Sequence, residues 1–197
     1  NSSGAPGAVA VAGKSGDYDI SNGVISITGS KSLHFTGTRY RFTGFQFTGS
    51  GSIYFGTTGN STDLYCDNAF SHTGSGDIFI SSGTKLFLCP KVSFQVTGSG
   101  DFNSGGHAEN LDVVSPGSTF SITGSGDPVA GCFYVPNADV TITGSGTICT
   151  AIIAKSLTIT GSGDIVYPTN YTGPRGGSGP SQPARPHERV DWQEAYQ

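Results

Sequence analysis

The chain has 197 residues, with 31 glycines, no methionine, 12% charged side chains and a net charge of −4. About a quarter of it is Ser or Thr and twelve residues are Phe. That composition argues against disorder and for many tight turns. With no Lys/Arg run it has nothing to attract nucleic acid or an anionic membrane, and no apolar run approaches the ~20 residues that span a bilayer.

Residues 1–17 (NSSGAPGAVAVAGKSGD) are mostly small, with one alternating stretch from Val9 to Val11. They read as an N-terminal extension, either a cap or a strand added to another subunit. A start at Asn1 rather than Met reads as a mature, processed product.

From residue 18 an internal repeat takes over. A Thr-Gly-Ser anchor recurs at Thr28, Thr48, Thr73, Thr97, Thr123, Thr143 and Thr160, with spacings of 20, 25, 24, 26, 20 and 17. Three residues before each anchor stand Ile25, Phe45, Phe70, Phe94, Phe120, Val140 and Leu157. One before stand Ile27, Phe47, His72, Val96, Ile122, Ile142 and Ile159, and every residue between is Ser, Gln or Thr. This is period-two alternation, a short strand with one buried face. The Gly-Ser-Gly that follows (Gly-Ser-Lys after Thr28) is a corner, after which the pattern resumes at Leu33, Ile53, Ile78, Phe102, Pro128, Ile148 and Ile165. The expected fold is all-β: a right-handed parallel β-helix, or β-solenoid, of about seven coils over residues 18–167. Stacked at ~4.8 Å per coil, it would form a rod of ~30–35 Å. A sandwich of hairpins would not return the same residue type to the same phase seven times.

Four cysteines, none in a CxxC arrangement, suit two disulfides better than zinc or haem, and a secreted protein. Cys132 and Cys149 each stand eleven before an anchor; Cys66 stands seven before and Cys89 eight before. Residues in phase on adjacent coils are neighbours, so bridges Cys66–Cys89 and Cys132–Cys149 are expected, each worth ~3 kcal/mol.

After Tyr167 the period stops. PTNYTGPRGGSGPSQPARP contains five prolines and reads as an extended linker. It leads to HERVDWQEAYQ, where Val190, Trp192 and Tyr196 are expected to contact a neighbouring subunit.

The constellations able to carry chemistry are few. GSGD corners place Asp77, Asp101, Asp127 and Asp164 at one phase, which suits turn hydrogen bonding better than a Ca²⁺ ladder. His72, at an inward phase, reads as a core histidine bonded to backbone rather than a catalytic base. His107, Glu109 and Asp112 form the best cluster for acid–base or metal chemistry, yet GGHAENLD reads as a solvated loop. No enzyme activity, cofactor or metal is therefore expected. Asn1, Asn60 and Asn170 head sequons and are candidate glycosylation sites. The outward Thr column raises ice or glycan binding as an alternative role.

The stretch GCFYVPNADVTITGSGTICTAIIAKSLTITGSGDI, residues 131–165, resembles the β-helical regions of Tad-type (TadE/TadG-like) pilus accessory proteins and type IV minor-pilin-like assembly proteins. The resemblance implies an extracellular, pilus-like or adhesive structural role without catalytic residues. Those proteins begin with a hydrophobic membrane helix, which this sequence lacks. The reading is a secreted structural subunit of an extracellular filament, stacked end to end on copies of itself. Surface glycans are a further candidate partner, and a polysaccharide-active enzyme is the remaining alternative.

Overall fold

The structure, a computed structural model, describes residues 11–12, 19–30, 32–57, 61–81, 84–103, 108–125, 129–145, 147–162 and 164–167. Two short strands, β1 (Val11–Ala12) and β2 (Asp19–Ser21), precede a three-sided winding. Its first turn is β3 (Val24–Ile27), β4 (Leu33–Phe35) and β5 (Arg39–Phe42). The second is β6 (Gly44–Phe47), β7 (Ile53–Phe55) and β8 (Thr62–Cys66); the third is β9 (Ala69–Gly74), β10 (Ile78–Ile80) and β11 (Leu86–Pro90). In the fourth, β12 (Ser93–Gly98) and β13 (Leu111–Val114) flank a second side reduced to a bridge at Phe102. Then come β14 (Thr119–Gly124) and a bridge at Val129. The long strands β15 (Ala130–Gly144) and β16 (Ile148–Gly161) each round a corner, and β17 (Ile165–Val166) follows.

The winding is a parallel β-solenoid. Phe94 stands in register between Phe70 and Phe120, and Thr97 between Thr73 and Thr123. Among the described residues seven strands stack on the side that carries the anchors. Only about four turns are three-sided, however, because the second side thins to single bridges after β10. The seven equivalent coils expected from the repeat are thus about four full turns and a tapering continuation.

Alternation fills the interior. Phe45, Phe70, Phe94 and Phe120 stack face to face, with ring centroids 4.8, 5.4 and 4.5 Å apart. The corners explain why glycine follows threonine. A Cβ on Gly74, Gly98 or Gly144 would run into the carbonyl oxygen of the glycine one turn earlier, so backbone lies directly on backbone. Gly98 also has φ +145°.

The first turn is covered by strands running the opposite way. β2 pairs antiparallel with β3 through an Asn22-Gly23 turn with φ of 51° and 78°, and β1 pairs antiparallel with β4. Among the described residues the only helical element is the 3₁₀ turn Ala108–Asn110, and no helix is long and apolar enough to cross a membrane.

The expected disulfides are corrected: Cys66 and Cys89 are free thiols, and the Cys132 thiol donates to the Ala108 carbonyl oxygen at 3.7 Å. Cys89 lies opposite Tyr65 and Cys66 opposite Pro90, so the two cysteines are one residue out of register and face opposite sides of the sheet. The count of seven against eight before the anchor already carried that change of parity. Cys132 lies opposite Ala151, and Cys149 opposite Ala130. Between Val135 and Asp139 strand β15 spends two more residues at its corner than β16 does between Ala154 and Ser156. Equal counts back from the anchor therefore end two residues apart.

Candidate functional site

The inward phases of the anchor side define the site by where burial fails. From β3 to β15, the position three before the anchor is at most 1% exposed and the position one before at most 3%. In β16 the same phases hold Leu157 and Ile159, which are 45% and 50% exposed. Ile153, Ile165, Val166 and Tyr167 are exposed beside them. A cavity of about 390 Å³ opens here, lined by Cys132, Tyr134, Ile153, Leu157, Ile165 and Tyr167 among others. Lys155 and Ser156 both donate to the Asp139 carboxylate, at 3.1 and 2.7 Å. The site is a bare apolar cross-section with little charge.

A second cavity of about 330 Å³, lined by tyrosine and charged side chains, lies on the third side, over β5, β8 and β11. Arg41 makes a two-pronged contact with Asp67 at 2.8 and 2.9 Å, and Lys91 donates to the same carboxylate at 2.6 Å. These bonds hold the Asp67 carboxyl down at about 2 and raise the Arg41 guanidinium. Arg39 and Asp63 add a pair at 3.3 Å. The network fastens three turns together, and its cations already have anionic partners.

His72 is 1% exposed, stacked on Phe47 at 4.9 Å, with Nε2 2.8 Å from the Gly76 carbonyl oxygen. Burial lowers its pKa, so the neutral ring donates from Nε2. Asp77 accepts the backbone N–H of Asp101 at 3.0 Å, and the carbonyl of Asp164 accepts from Ile148. Asp127 lies outside the described residues. Of the His107, Glu109 and Asp112 cluster, His107 lies outside them as well. Glu109 is half-buried on the 3₁₀ turn, and Asp112 is buried in β13, across the sheet from Cys132. No group of three His, Cys, Asp or Glu among the described residues is placed to hold a metal ion. The threonines of the anchor column are in register and exposed or half-exposed. Asn1, Asn60, Asn170, Val190, Trp192 and Tyr196 all lie outside the described residues.

Sequence reasoning missed the exposure at Leu157 and Ile159, although the signal was there: no Thr-Gly-Ser copy follows the one at Thr160. It also missed the Arg41–Asp67–Lys91 network, whose spacings of 26 and 24 match one turn of the repeat.

Fold and site together define a parallel β-solenoid with a strand-covered beginning and a bare apolar end. The chain belongs to the family described as Domain of unknown function (DUF7305), whose model matches residues 7–171. No curated protein and no solved structure matches it.

Proposed function

We propose that the protein is a secreted structural subunit of an extracellular, pilus-like assembly, joined to copies of itself through the ends of the solenoid. The observation that carries this reading is the exposure of Leu157 and Ile159 at phases buried in every earlier turn. Fully burying a side chain of that size contributes about 1.5–3 kcal/mol, of which these half-exposed residues have about half to gain, and the strand edge beside them, unpaired among the described residues, favours a partner with a strand to add. The likeness of residues 131–165 to pilus-associated β-helical segments supports the extracellular setting. The role calls for no catalytic group; the stacked core and the charge network between turns supply mechanical continuity along the rod.

Negative-stain electron microscopy of the purified chain tests it. Elongated particles longer than one solenoid support the reading, and uniformly single short particles at high concentration contradict it.

A further inference from the structure

We propose that the joint is two-fold: the last rung of one chain pairs antiparallel with the last rung of a second copy, centred on Thr158. The inference rests on the end-to-end reading above and specifies its geometry.

The beginning of the solenoid is a poor acceptor for the end of another copy. Its β3 and β4 edges are already occupied by β2 and β1, running in reverse. The end, by contrast, is complementary to itself. Residues 156–160 read Ser-Leu-Thr-Ile-Thr, with the same polarity in both directions. Antiparallel pairing about Thr158 sets Leu157 against the second copy's Ile159 and Ser156 against its Thr160. Both apolar side chains then stay on the core side.

The backbone is in the right phase. Asp139 donates its N–H back to the Ser118 carbonyl, and Asp139 is in register with Ser156. Ser156, Thr158 and Thr160 therefore turn their backbone groups toward β15, and Leu157 and Ile159 turn theirs off the open edge. In the joint, Leu157 and the second copy's Ile159 exchange hydrogen bonds. The two Thr158 residues form a non-hydrogen-bonded pair with Cα atoms ~4.5 Å apart. Residues 156–162 carry no charge, so no like charges meet, and Lys155 is held by Asp139 opposite the second copy's Gly161. A two-fold axis through the anchor side exchanges the other two sides, bringing Ile165 of each copy over the β16 strand of the other. The stretch that follows directly is the weaker occupant. Residues 168–186 contain five prolines and no Val, Ile, Leu or Phe, so they offer no strand with two inward apolar side chains.

Thr158→Cys tests the pairing, with Thr48→Cys on the same outward face and the unmodified chain as controls. Under mild oxidation, Thr158→Cys is expected to become a disulfide-linked dimer on a non-reducing gel, with peptide mapping joining residue 158 to itself. Both controls stay monomeric. Particles that sediment as assemblies while Thr158→Cys remains unlinked would overturn the two-fold joint and leave end-to-end assembly standing. Sedimentation as a monomer at every concentration would overturn both. Cross-linking that appears only after deletion of residues 168–197 would assign the end to the tail and overturn the joint.

Discussion

His72 occupies a phase where the other turns place Ile, Phe or Val, and it meets the requirement by staying neutral. Burial lowers its pKa in the fold, while the unfolded chain takes up a proton near the ordinary value of 6.5. The unfolded state therefore binds more protons as pH falls below about 6.5, and stability falls with it until the folded pKa is passed. The urea midpoint is expected to drop between pH 7 and pH 5. In His72→Phe, which keeps a ring against Phe47, that drop should disappear. Gly98 is set by backbone contact instead: Gly98→Ala places a Cβ against the Gly74 carbonyl at a φ that side chains rarely adopt. It should cost about 2 kcal/mol or more in a denaturation experiment. The cysteines give a third check. Alkylation in denaturant without reductant should label Cys66, Cys89 and Cys132, whereas labelling that needs a reductant would restore the bridges. Burial raises the Cys66 pKa, so its thiol should be slow to react in the folded chain.

Among the elements, the anchor strands carry most of the core. Phe94 lies between Phe70 and Phe120 in the ring stack, and Phe94→Ala should cost about 3–5 kcal/mol, measured by urea unfolding. These strands were legible because alternation and glycine corners act within a few residues of each anchor. The sides of variable length were not. The Cys132–Cys149 phase failed because the corner at residues 136–138 absorbs extra residues without changing the strands on either side, and Cys66–Cys89 failed because counts of seven and eight differ in parity. The reverse-running β1 and β2 were equally hidden: Val11–Ala12 is too short a strand to show its direction in its letters. The exposed end follows a stop in the repeat after Tyr167, and only packing among the described residues shows which side chains it leaves uncovered. The outward Thr column is in register, but only two adjacent turns carry Thr at both outward phases, Thr141 with Thr143 and Thr158 with Thr160. So narrow an array should give no thermal hysteresis in a freezing assay.

At the scale of the molecule, the two ends differ. One has its β3 and β4 edges paired with reversed strands, and the other, among the described residues, presents inward-phase side chains with no further turn over them. On the proposed reading, that asymmetry makes the apolar end the place where copies would meet. Sedimentation velocity of the unmodified chain beside Leu157→Asp tests this most directly. The unmodified chain should shift from monomer towards dimer as its concentration rises, while Leu157→Asp keeps its β-sheet circular dichroism and sediments as a monomer. An unmodified chain that remains monomeric, or a Leu157→Asp variant that assembles equally well, would contradict it.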